Sequence, residues 1–141
     1  DSGKNQLKVE DDYFINPIFS SGSNPNALFY GGKYYYTHET NDMILLWETN
    51  DITDMGSAVC KEVWRPTDPK SMHNLWAPEI HRINDKWYIY YAADDGNTDN
   101  HQIYVLENDA RTPMEGTFKQ KGPIMTNQEW NWGNTCIYFC A

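Results

Sequence analysis

The sequence predicts an all-β chain built from repeated four-stranded antiparallel sheets. Three observations carry that expectation. Short runs rich in aromatic and β-branched residues recur along the chain, each bounded by a turn signal. No stretch sustains a helical apolar period. The pattern of the first half is repeated in the second.

The elements follow in order. Asn26–Tyr30 and Lys33–Glu39 are β-rich runs joined by Gly31-Gly32, a two-residue hairpin signal, because glycine reaches positive φ without a side-chain clash. Met43–Glu48 is a third run and Ala58–Trp64 a fourth, after which Pro66 and Pro69 close the unit. The pattern restarts at Pro78–Ile83. Asn84-Asp85 makes the turn, Lys86–Ala93 returns, and Asp94–Asn100 is a polar loop. His101–Glu107 is the third strand of this unit and Thr117–Gly122 the fourth.

The two units read as copies. Gly32-Lys33-Tyr34-Tyr35-Tyr36 matches Asp85-Lys86-Trp87-Tyr88-Ile89 in pattern, and Leu46-Trp47-Glu48-Thr49-Asn50-Asp51 matches Val105-Leu106-Glu107-Asn108-Asp109-Ala110. Four strands in ~40–50 residues is the repeat of a β-propeller blade. The expected blades span about residues 24–66 and 76–125, and a third begins near Trp130 and runs to Ala141. A ring closes only with roughly four blades or more. About two and a half blades are therefore expected to leave apolar faces and strand edges open, and so to self-associate.

Composition narrows the function. Hydrophobic residues make up 40% of the 141 and charged residues 22%, which supports a core and argues against disorder. A net charge of −9 argues against a nucleic-acid partner, whose phosphates attract basic surfaces. No apolar run approaches the ~20 residues of a membrane-spanning helix, so no membrane partner is expected. The chain begins at Asp1 rather than Met, as a processed secretory protein or a piece of a longer one would. Cys60, Cys136 and Cys140 are an odd set, so at least one thiol lacks an intrachain partner. No His or second cysteine pair stands near Cys136 and Cys140, and neither a metal nor a cofactor is expected.

Aromatic residues are 15% of the chain, and one stretch arranges them for binding. Asn74-Leu75-Trp76-Ala77-Pro78-Glu79-Ile80 places an indole and a carboxylate at the mouth of a hairpin. The C–H bonds on a sugar's face carry slight positive charge and lie well on the negative face of an aromatic ring. A carboxylate accepts hydrogen bonds from sugar hydroxyls. Trp76 and Glu79 are therefore candidate substrate-binding residues for an oligosaccharide or polysaccharide. Each has a plainer reading, Glu79 as a brace on the backbone and Trp76 as core. Asp94 and Asp95 precede Gly96 in a loop, where they are either solvated turn residues or part of the binding wall. Tyr34, Tyr35 and Tyr36 alternate faces, with Tyr36 the candidate for substrate contact. His38 and His73 read as surface or supporting residues.

Taken in order, these pieces resemble the N-terminal part of glycoside hydrolase family 43, the α-L-arabinofuranosidase and β-xylosidase group. The matching residues are Asn16-Pro17-Ile18, Gly22-Ser23-Asn24-Pro25, Gly32-Lys33-Tyr34-Tyr35-Tyr36-Thr37, Leu75-Trp76-Ala77-Pro78-Glu79-Ile80-His81 and Lys86-Trp87-Tyr88-Ile89-Tyr90-Tyr91-Ala92-Ala93-Asp94-Asp95-Gly96. Tyr104-Val105-Leu106-Glu107 and Pro113-Met114-Glu115-Gly116 continue the match. The resemblance implies a five-bladed propeller with its active site in the central funnel, of which this chain would hold about half. It also implies a secreted enzyme that inverts configuration while hydrolysing arabinose- or xylose-containing plant polysaccharide.

Inverting hydrolysis needs a carboxylate base and a carboxylic acid ~6.5–9.5 Å apart, with water between base and sugar. The resemblance places the base at Asn24, where the family carries Asp before Pro. An amide is a very poor proton acceptor, so Asn24 is expected not to serve as the base. A further Asp that tunes the acid is expected near Trp132-Gly133-Asn134-Thr135, which contains none. The acid itself, a Glu in a later blade, falls beyond Ala141. The expectation is a truncated, catalytically impaired glycosidase. A non-catalytic carbohydrate-binding propeller and a protein-interaction propeller remain the alternatives.

Overall fold

The computed structural model describes residues 26–124, and these form two four-stranded antiparallel sheets. The first runs β1 (Asn26–Tyr30), β2 (Lys33–Glu39), β3 (Ile44–Thr49) and β4 (Val59–Trp64), each strand paired with the next. The second runs β5 (His73–Ile83), β6 (Lys86–Asp94), β7 (Gln102–Asn108) and β8 (Lys119–Pro123) in the same meander. Among the described residues the helical elements are two single 3₁₀ turns, Met55–Ser57 and Thr98–Asn100.

Both first hairpins turn on the dipeptides read from the sequence. Gly31 and Gly32 have φ of 61° and 81°, and Asn84 and Asp85 have φ of 50° and 63°. Positive φ at both central positions matches the right-handed twist of the flanking strands. Asn and Asp tolerate it because their short polar side chains bond locally.

Period-two alternation decides what each strand buries. In β6, Trp87, Ile89, Tyr91 and Ala93 are all buried. Leu106 and Tyr104 on β7 stand opposite Ile89 and Tyr91 and extend that face. The first sheet answers with Tyr35, Ile44, Leu46 and Val63, and one apolar cluster joins the two sheets. Trp87 anchors it. Its ring is fully buried, 5.2 Å from both Tyr30 and Tyr35 in edge-on contacts, with the Arg82 guanidinium 4.8 Å from its centre. Its indole N–H donates to the Arg111 carbonyl at 3.3 Å.

Polar links tie the sheets at their edges. The Asn26 side-chain oxygen accepts the Ile80 N–H at 2.9 Å, and the Thr37 hydroxyl donates to the Pro78 carbonyl at 3.1 Å. These bonds set β5 against β1 and β2. Farther out, the Trp64 indole donates to the Tyr91 hydroxyl at 3.0 Å, and that hydroxyl donates to Gln120 at 3.2 Å. Burial pushes the Tyr91 phenol up to about 12, so it stays a donor at any ordinary pH.

The structure differs from the sequence reading most in one strand, the bounds of the others moving by a residue or two. β5 begins at His73 rather than Pro78. Pro78 sits inside the strand, at an irregularity that leaves no ladder bond for it to make. The segments around Asn16, Asn24, Trp130, Trp132, Cys136 and Cys140 lie outside the described residues.

Replacing Trp87 by Ala removes the anchor of both sheets. The expected cost is about 3–5 kcal/mol, read as a fall in the urea midpoint. Val59→Ala, at an exposed position, should stay within about 0.5 kcal/mol. Equal effects from the two would show that Trp87 does not anchor the core.

Candidate functional site

The entry of β5 departs from a regular strand twice. Its register pairs His73 with Asp94, Trp76 with Ala92 and Glu79 with Tyr90, so each step carries one extra residue on β5. Asn74 and Ala77 take up the excess with φ of 51° and 49°. The consequence is a matter of faces. Ala92 and Tyr90 point the same way along β6, so their partners Trp76 and Glu79 do too. An unbroken strand would have sent those two side chains to opposite sides.

Trp76 is 42% exposed, the most open tryptophan among the described residues. It borders a cleft of about 380 Å³ lined by Glu39, Thr40, Asn41, His73, Asn74 and Leu75. The cleft thus lies between the β2–β3 turn of the first sheet and the start of β5. The indole also meets the His101 ring, with centres 4.3 Å apart and planes at 46°.

His101 is held in turn by Asp94, whose carboxylate is fully buried. Asp94 Oδ2 lies 2.9 Å from His101 Nδ1. The Asn74 amide donates to both carboxylate oxygens, at 3.0 and 3.1 Å, and the Gly96 N–H donates to Oδ1 at 2.8 Å. Burial alone would raise the pKa of this carboxyl. The bonds from His101, Gly96 and Asn74 outweigh that and hold it below the ordinary 3.8. An ionised carboxylate only accepts, so His101 Nδ1 must carry the proton in this bond.

The other candidates are distributed differently from the sequence reading. Asp94 is not a solvated turn residue; it is buried, accepting from the local Gly96 N–H and from the more distant Asn74 and His101. Asp95 is exposed, accepting the Asn97 N–H at 3.0 Å and the Asn100 amide at 2.9 Å. It borders a separate groove of about 490 Å³ with Asp68, Lys70 and Tyr104, away from Trp76. Tyr36 is buried along with Tyr35, so it is not the solvent-facing tyrosine of the three. Burial, helped by the charge of Glu39, raises its phenol pKa. Glu79 is 15% exposed in its side chain and lies 3.3 Å from His81 Nε2. His38 is a supporting residue: its Nε2 accepts the Trp47 indole N–H at 2.9 Å, and burial lowers its pKa. His73, read from the sequence as a surface or supporting residue, lines the Trp76 cleft, and His101 is a site residue the sequence did not single out. Among the described residues no group of His, Cys, Asp or Glu is arranged to hold a metal ion, and no helix is long and apolar enough to cross a membrane.

Comparison with known proteins gives the family. Residues 14–137 match the family described as Glycosyl hydrolases family 43. The chain is 34% identical over 122 residues to an extracellular exo-alpha-(1->5)-L-arabinofuranosidase of Streptomyces chartreusis, covering 82% of this chain and 37% of that protein. It is 33% identical over 120 residues to a protein of the same name from Streptomyces avermitilis, covering 80% of this chain and 24% of that one. The solved alpha-L-arabinofuranosidase of Lactobacillus brevis superposes with a TM-score of 0.71 at 28% identity, over 80% of this chain and 39% of that one. The chain therefore spans less than two fifths of the length of these relatives.

Asp94 gives the fold a defined acid response. Its folded-state pKa is depressed, so its contribution is present above the unfolded value of 3.8 and is lost as pH falls through the lower folded value. Asp94→Asn should cost about 1–3 kcal/mol at neutral pH and should flatten the loss of stability below pH 3.8. Urea melts at several acidic pH values check this. An unchanged slope in the variant would show that Asp94 does not carry it.

Proposed function

The chain belongs to glycosyl hydrolases family 43, and on that premise we propose that it forms the sugar-gripping part of an inverting glycosidase acting on arabinose-containing plant polysaccharide. The observation that carries this reading is Trp76, an exposed indole at the lip of a polar cleft, backed by His101. A flat ring flanked by the amide of Asn41 and the carboxylate of Glu39 offers a pentose both a face for its C–H groups and partners for its hydroxyls. The relatives named as arabinofuranosidases support arabinose as the sugar, and the word extracellular in two of those names supports export.

In this reading the two sheets are two blades, about residues 24–66 and 76–125, of a propeller. Its funnel is complete only with the further length that the relatives carry. Trp76 is the platform. Glu79 shares its face and, beside His81, is a further acceptor for a sugar hydroxyl. Asp94 supports from below without touching sugar, and Asp95 and Tyr36 stand apart from the contact. Asn24 occupies the position of the general base and cannot take the proton from water.

A second reading has a specific observation behind it. With Asn at position 24, the assembled site would hold a glycan without cleaving it, as a non-catalytic carbohydrate-binding propeller does. Both readings share Trp76 and differ in turnover.

The chain should therefore release no detectable arabinose from 4-nitrophenyl α-L-arabinofuranoside, since loss of a general base alone costs roughly 10²–10⁴ in rate. Calorimetry should detect weak binding of arabinotriose, and Trp76→Ala should abolish it. Turnover at the rates of active glycosidases would overturn the placement of Asn24. Unchanged binding in Trp76→Ala would overturn the platform.

A further inference from the structure

We propose that Asp94 is a positioning residue for Trp76: acting through Asn74 and His101 together, it sets the angle and height at which the indole meets the cleft. The proposal rests on the reading of Trp76 as a sugar platform, and it assigns the part of the fold that makes the platform rigid.

The argument begins with the backbone. Asn74 and Ala77, two residues before Trp76 and one after it, both sit in the left-handed region. Residues with a Cβ adopt that conformation at a cost and keep it only where surrounding contacts leave no choice. At Asn74 the contact is Asp94, whose two oxygens both accept from the Asn74 amide at 3.0 and 3.1 Å. The approach to Trp76 is thereby pinned to the end of β6.

The ring is pinned from beneath by the same carboxylate. His101 packs on the indole at 4.3 Å between centres, and its Nδ1 bonds Asp94 at 2.9 Å. The far nitrogen, His101 Nε2, is buried and has no hydrogen-bond partner among the described residues. Asp94 therefore supplies the bond that fixes the rotation of this imidazole, and the imidazole fixes the tilt of Trp76. The Gly96 N–H, at 2.8 Å, fixes the carboxylate itself. A single buried side chain thus holds both the backbone leading into the tryptophan and the surface its ring rests on. An aromatic platform binds through contact area, so a ring that wobbles or tilts loses affinity although no group that touches sugar has changed.

The test uses the whole chain with two variants and two readouts. The indole N–H resonance of Trp76 is identified by its disappearance from the proton–nitrogen NMR spectrum of Trp76→Ala. Asp94→Asn keeps the shape of the side chain but presents an amide N–H₂ where His101 and Asn74 need an acceptor. Asn74→Gly adopts positive φ freely and deletes only the amide that Asp94 holds, so it stays folded even where Asp94→Asn does not. Both variants should shift the Trp76 indole resonance. Both should weaken arabinotriose binding about tenfold or more, while Asn74→Gly melts cooperatively. An indole resonance unmoved in Asn74→Gly overturns the proposal, as does full affinity in both variants when Trp76→Ala has none. Binding that survives Trp76→Ala sinks the platform reading alone, and the indole shifts then still decide whether Asp94 positions the ring.

Discussion

A carboxylate taken out of water persists as an anion only where donors replace the water it has lost. Asp94 meets that requirement with three donor groups brought from three places in the chain, namely Asn74, Gly96 and His101. The arrangement at the start of β5 depends on it. The side chain that ends β6 holds the left-handed Asn74, closes the loop at Gly96, and orients the imidazole under Trp76. Sequence, local backbone and candidate site therefore meet at one buried charge.

A second constraint sets where that arrangement sits. Trp87 and the cluster around it press the two sheets together, and the bonds from Asn26 and Thr37 place β5 alongside β1 and β2. The cleft is a product of that packing. Glu39, Thr40 and Asn41 come from the first sheet, whereas His73, Asn74 and Trp76 come from the second. Neither sheet alone would form it. The wall they form carries an exposed indole with polar groups around it.

Much of this was legible in the residues. Gly31-Gly32 and Asn84-Asp85 announce their hairpins because few dipeptides accept positive φ twice. The alternation Trp87, Ile89, Tyr91, Ala93 announces a strand with one buried face. Trp76 is the binding candidate in both sequence and structure, since a tryptophan beside Ala-Pro has few neighbours to bury it. The fate of Asp94 was hidden, because Asp-Asp-Gly has the composition of a solvated turn and the donors that bury it lie 20 and 7 residues away in sequence. His101 was hidden for the same reason: its role is defined by Asp94 and Trp76, not by its neighbours in sequence. The double irregularity of β5 left no compositional trace beyond Asn74, a residue type that tolerates the left-handed region. The residues alone therefore mark the strand only from Pro78. Tyr36 shows the limit of alternation alone, because it tells which tyrosines share a face and not whether that face is covered.

The central claim is that a pentose rests on Trp76. A crystal structure of the chain soaked with arabinotriose tests it most directly. The account predicts electron density for a furanose ring lying flat against the Trp76 indole, with its hydroxyls toward Asn41 and Glu39. Sugar seated instead in the groove of Asp68, Asp95 and Tyr104, with the Trp76 face bare, would contradict it.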